Sequence, residues 1–181
     1  MNNSSTIEPR PTEAWPEDLN YILDKLDKPL NIHGLMAHHS SLMQAWMPFR
    51  NHIVSNSSLE PRQRELLILR TAVNCSAAYE WSHHVVRGKE AGLSVDEIQR
   101  VKQNPETAYW PDDDRALLLS ADDCFHHSMV SEGTYVQLKE YFTIEQQLDA
   151  LATVGMYITL ATMIKTFRVP LEADHAVSTL D

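Results

Sequence analysis

Residues Ala150 to Ile164 form a run of 15 residues without a charged side chain, and this run limits the fold more than any other stretch. A helix built from it is apolar on most sides, so it must be covered by something other than water. It is shorter than the ~20 residues a bilayer core requires, and Thr153, Gly155, Thr159 and Thr162 interrupt it. The segment therefore predicts a buried core or subunit-interface helix. A chain of 181 residues has room for one such core and little more. We expect a loose arm over residues 1–16, marked by Pro9, Pro11 and Pro16, followed by a single domain over residues 17–181.

Around that helix the sequence reads as further helices with clear start and stop signals. Glu17 to Leu26 places Leu19, Ile22, Leu23 and Leu26 at helical spacing. Asn31 to Val54 predicts one long helix or two shorter ones. Pro61 suits a first helical turn and leads into Arg64-Glu-Leu-Leu-Ile-Leu-Arg70. The next helix covers Ala77 to Ala91 and stops at Gly92. Ser94 with Glu97 and Thr143 with Gln146 are capping boxes. The acids Asp112, Asp113 and Asp114 favour a helix start before Arg115 to His127. A helix from Ser131 to Phe142 and a long one ending near Phe167, before Pro170, complete the set. Only 5 glycines, with no alternating strand pattern, argue against tight β-turns and phosphate-cradling loops. The fold class is all-α.

Charge and cysteine content narrow the function. Asp and Glu number 25 against 15 Lys and Arg, a formal charge of -10, which repels nucleic acid and anionic lipid alike. A small-molecule substrate is the expected partner, with no nucleic acid and no membrane. Cys75 and Cys124 are too few for a disulfide framework, so a reducing, cytoplasmic setting is expected. Met1 to Arg10 is polar, unlike a secretory signal peptide.

The chemistry concentrates in one segment. Glu80 and His84 stand four apart on one helical face, with His83 alongside. A carboxylate can orient an imidazole and raise its basicity, and the ring titrates near neutral pH. Glu65 adds a second carboxylate if its helix and that of His84 form a hairpin. The plain alternative is a satisfied Glu–His pair without a catalytic role. Arg70, Trp81 and His83 are the candidate substrate-binding residues, with Arg87 as another basic group for a substrate acid. Trp46, Trp81, Met156 and Met163 also suit packing better than a cofactor box. Glu80-x-x-His83 matches half of a di-iron motif and Asp123-x-x-His126 a variant second half. The histidine pairs His38-His39, His83-His84 and His126-His127 diverge by about 100° on a helix, so one of each pair at most faces a shared point. The expectation is no metal and no cofactor.

Pro61 to Arg70, Asn74-Cys75, Tyr79-Glu-Trp-Ser-His-His84, Glu90-Ala-Gly-Leu93 and Asp113-Asp-Arg-Ala-Leu-Leu together resemble the carboxymuconolactone decarboxylase family, across roughly residues 30 to 170. The resemblance implies the alkyl hydroperoxidase D-like helical fold, assembled as a trimer or hexamer with the site near a subunit interface. In the peroxidase branch a Glu is followed at +12 and +15 by cysteines and at +19 by a His. Carried over, the Glu is Glu65 and the His is His84, but Ala77 and Glu80 occupy the thiol positions. A dithiol reduction of peroxide needs both thiols. The site thus resembles the decarboxylase-like branch: a cofactor-independent lyase or isomerase acting on a small lactone or keto acid, with His84, Glu80 and Glu65 as catalytic groups. Peroxidase activity and a non-catalytic small-molecule-binding oligomer are the alternatives.

Overall fold

A computed structural model describes residues 7–173, His175 and Leu180. Its helices are α1 (Asn20–Leu23), α2 (Asn31–Met36), α3 (Ser40–Asn51), α4 (Pro61–Asn74), α5 (Ala78–Glu90), α6 (Val95–Arg100), α7 (Asp112–His127), α8 (Glu132–Tyr141) and α9 (Ile144–Phe167). No strand occurs among the described residues. The all-α expectation holds, and the helix starts follow the capping signals. Pro61 opens α4, and Gln63 reaches back to the amide of Glu60 at 3.1 Å. Ser94 Oγ accepts from the Glu97 amide while Glu97 reaches back to Ser94. Thr143 and Gln146 make the same reciprocal pair ahead of α9.

Two segments depart from expectation, and Asn31 to Val54 takes the two-helix form of its two expected alternatives. The first helix is reduced to a 3₁₀ turn, Glu17–Leu19, and the short α1. Asn31 to Val54 divides at His38-His39 into α2 and α3, and Pro48 inside α3 is followed by a π-helical turn over His52–Asn56. Proline lacks the amide that an α-helix needs, which relaxes the ladder there. The acids Asp112 to Asp114 lie inside α7 as its first turn rather than ahead of it.

By their contacts, the residues group into two compact units. Among the described residues, 7–56 with 162–173 and His175 form one; 57–161 with Leu180 form the other. In the first unit, α2 packs on α3, and the Glu172 carboxylate accepts from the Asn31 amide at 2.7 Å. The second unit holds the catalytic candidates. Here α4 is central, packed on α5 and α7, with α8 on α7 and α6 on α5. Leu66, Leu69, Trp81, Ile98 and Leu118 form one buried cluster between them. Leu67, Leu117, Leu138, Ala150 and Val154 form another.

The helix α9 is 24 residues long, enough by length and composition to cross a bilayer. Within the second unit it behaves as a core helix. Ala150, Thr153 and Val154 are fully buried, Tyr157 is nearly so, and the Asp149 carboxylate holds the Ser58 amide at 2.6 Å. Ile144, Leu148 and Leu151 remain exposed.

Candidate functional site

Two features of the chain bring α4 against α5. Their connection is short: Cys75 caps α4, Ser76 takes a left-handed φ of 50°, and the Ala77 amide returns to the Ala72 carbonyl at 2.8 Å. The helices also approach closely at Gly88, where an added Cβ would lie 3.3 Å from the Leu69 side chain and 3.2 Å from that of Leu93. At about 1.5 Å per residue, Glu65 and His84 then stand at similar heights on the two arms of a hairpin. The hairpin that Glu65 required is present.

His84 Nδ1 lies 2.6 Å from Glu65 Oε2, with both side chains about 95% buried. On the other side of the ring, Arg87 Nη1 donates toward Nε2 at 3.5 Å. An arginine always donates, so Nε2 carries a lone pair and Nδ1 carries the proton it gives to Glu65. Burial pushes the His84 pKa down, and this outweighs the upward pull of the Glu65 charge and hydrogen bond; Arg87 and His83 push it further down. Burial would raise the Glu65 pKa, but His84, Arg87 and Arg64 hold it below the usual carboxylate range. The pair at neutral pH is an ionised Glu65 and a neutral His84 with an available basic nitrogen. Tyr157, from α9, sets its ring edge-on to the imidazole at 5.0 Å and closes that side.

Glu80 requires a correction. The sequence makes it the carboxylate that orients His84 or a second acid, yet the orienting contact to His84, at Nδ1, is made by Glu65 at 2.6 Å. Helical side chains lean toward the N-terminus. Glu80 sits in the first turn of α5, 4% exposed, at the helix end whose dipole favours a carboxylate. The orienting group is Glu65.

Arg70 requires another. Its Nε and Nη2 grip Asp122 at 2.6 and 2.7 Å, and its Nη1 donates to the carbonyls of Val101 and Gln103 at 2.7 and 2.9 Å. Its donors fasten α4 to α7 and to the end of α6, which leaves it no part in holding a substrate. Trp81 is 1% exposed inside the core cluster, with the Lys102 ammonium 5.1 Å from its ring centre. It is a packing residue rather than a substrate contact. His83 is buried next to the dyad, its ring 4.8 Å from that of Tyr79. Arg64 and Tyr157 were missed by sequence reasoning; Tyr157 comes from a helix remote in sequence and left no local signal.

Among the described residues, no three His, Cys, Asp or Glu side chains gather as a metal-binding group. Asp123, in the variant half of the di-iron pattern, accepts from the Ser131 amide at 2.9 Å, and His126 is exposed. Cys75 is a free, buried thiol, and Cys124 a free, half-buried one whose pKa is raised by burial and by Asp123. Neither occupies the positions of Ala77 and Glu80.

The model of the carboxymuconolactone decarboxylase family matches residues 40–121, a narrower span than the residues 30 to 170 over which the motifs resemble it. No curated protein matches the chain. Several solved structures share its fold, three of them as follows. One is an AhpD-core, uncharacterized peroxidase-related protein from Ralstonia eutropha: 20% identity, 94% of this chain and 93% of that one, TM-score 0.79. Another is an Agrobacterium tumefaciens protein of unknown function described as an AhpD antioxidant defence protein: 22% identity, 80% and 97% covered, TM-score 0.69. The third is the debrominase Bmp8: 13% identity, 94% of each chain, TM-score 0.77. At these identities the likeness is one of fold. The match over residues 40–121 bears out the resemblance to the family, and the fold is that of AhpD-like proteins.

Proposed function

We propose, for a chain that carries the carboxymuconolactone decarboxylase pattern over residues 40–121, that it is a lyase or isomerase moving protons on a small lactone or keto acid, without a cofactor. The observation that carries this reading is the buried contact of 2.6 Å between Glu65 and His84, with Nε2 on the opposite side of the ring. A neutral imidazole fixed by a carboxylate is a general base, and it becomes an equally well placed acid once it has taken a proton.

In the isomerase version, Nε2 takes a proton from a carbon next to the substrate carbonyl. The C–H electrons enter an enolate, and the imidazolium formed is held by the Glu65 charge. The imidazolium then delivers a proton, exchangeable with solvent, to another carbon of the conjugated system. In the decarboxylase version, the C–C bond to the carboxylate breaks and CO₂ leaves. The electron pair passes into the conjugated carbonyl, and His84, having taken a proton from solvent, delivers it to carbon. Positive charge from Arg87 beside Nε2 favours the anionic intermediate in both. The absence of thiols from positions 77 and 80 weighs against dithiol peroxidase chemistry.

A panel of small lactone and keto acids tests the proposal by turnover. We expect at least one to be consumed, with kcat lowered about 10²–10⁴-fold in His84→Ala and much less in His83→Ala, both variants being folded. Thiol-dependent consumption of peroxide, with no acid on the panel turned over, would overturn it.

A further inference from the structure

Two guanidiniums stand at the dyad with donors to spare. The Arg64 side chain is only 15% exposed, and its Nε lies 3.9 Å from Glu65 Oε1, too far for a hydrogen bond. Among the described residues its guanidinium makes no other polar contact. Arg87, half-buried on α5, touches only His84 Nε2, through one of five N–H groups and at the long distance of 3.5 Å. The other sequestered arginines behave differently. Arg70 fills its fork with Asp122 and two carbonyls, and Arg62 bridges Asp114 and Glu97. Burying cationic donors without acceptors is costly, so the arrangement at the dyad calls for an anion.

Local charge points the same way. The largest charge effects on Glu65 besides that of His84 come from two cations, Arg87 and Arg64, within a chain of formal charge -10. Guanidinium forks match the two oxygens of a carboxylate in shape and charge. An acceptor lying on Arg87 would also lie next to the basic nitrogen of His84.

We infer that Arg87 of α5 is a carboxylate anchor that holds an anionic substrate group beside His84 Nε2, with Arg64 of α4 adding positive charge from the Glu65 side of the ring. The inference rests on the acid/base reading of the dyad and adds to it the residues that select an acid over its neutral analogue. It replaces Arg70, which the sequence put forward for that task.

The test is titration of the full chain with succinate and with neutral succinamide, read by calorimetry and by the ¹⁵N shifts of the His84 ring. Succinate should bind and move the His84 signals, and succinamide should bind at least about tenfold more weakly. Arg87→Gln should weaken succinate at least about tenfold, and Arg64→Gln by less. Arg87→Lys should lose less, and Arg115→Gln, whose residue pairs with Asp112 on α7, should change nothing. If Arg64→Gln fails to fold, Arg87→Gln and Arg64→Lys decide. Equal binding of succinate and succinamide, wild-type affinity in the Arg87 variant, or no binding of succinate would each overturn the anchor. Because binding is read without turnover, the two proposals fail separately. Intact Arg-dependent binding with no reaction on the panel defeats the lyase and leaves the anchor. Turnover unchanged in Arg87→Gln does the reverse.

Discussion

The Glu65–His84 contact sets a number for the energetic coupling between α4 and α5. Consider the cycle made by Glu65→Gln, His84→Leu and the double variant, unfolded by urea at pH 7.5 and one protein concentration. Both side chains are about 95% buried and 2.6 Å apart, so solvent screens the contact little. A hydrogen bond to a charged group contributes about 1.5–3 kcal/mol. Glu65→Gln keeps a neutral bond of roughly half that strength, so its cost is about 1 kcal/mol. His84→Leu strands an ionised carboxylate and should cost about 3–5 kcal/mol. In the double variant the stranded charge is gone, and the two single costs should exceed the double cost by about 1.5–3 kcal/mol. The pH dependence carries the same logic. His84 is depressed from 6.5 on folding, so its stabilising contribution is present above pH 6.5 and is lost as pH falls toward the lower folded value. Glu65 is depressed from 4.5, so its contribution is present above pH 4.5 and is lost as pH falls through its folded value. Wild-type stability should therefore decline below pH 6.5, then again in the carboxylate range, and the penalty of His84→Leu should shrink in that last window. A coupling below about 0.5 kcal/mol would refute a buried, charge-assisted pair.

Asp122→Ala, which leaves the Arg70 fork without its carboxylate, should cost about 3–5 kcal/mol in chemical denaturation, while a folded sample keeps its His84 ring shifts. Changing both Cys75 and Cys124 to Ser should leave turnover of any acid substrate within a few-fold of wild type, because neither thiol stands at position 77 or 80; loss of turnover in the folded variant would contradict this. Light scattering at micromolar concentration should give a trimer or a multiple of three, as the resemblance implies, and Leu148→Glu with Leu151→Glu on the exposed side of α9 should lower that mass. A monomeric wild type would count against self-association.

The sequence revealed most where the signal was local. Capping residues Ser94 and Thr143, Pro61 and Gly92 mark helix ends because each meets a backbone requirement within three or four positions. It revealed less about side-chain partners. Glu80 and His84 share a helical face, yet proximity along one helix lost to a neighbour across the hairpin, since Glu65 meets the imidazole directly from α4. Arg70 looked available because Asp122 is distant in sequence, and only packing of α4 on α7 brings them together. Trp81 sits between two functional candidates in sequence, but its direction on α5 places it in the core. The division into two units was equally hidden, since the change falls within the continuous helix α9, at Ala161 and Thr162.

The central claim is that His84 exchanges a proton with substrate carbon. The direct measurement is deuterium incorporation: a reacting acid from the panel is incubated in D₂O with the wild type, His84→Ala or His83→Ala, and its carbon-bound deuterium is followed by NMR. The account predicts incorporation at the carbon that receives the proton from His84, with the wild type and with His83→Ala, and a loss of about 10²-fold or more with His84→Ala. Incorporation at wild-type rate in a folded His84→Ala protein would contradict it.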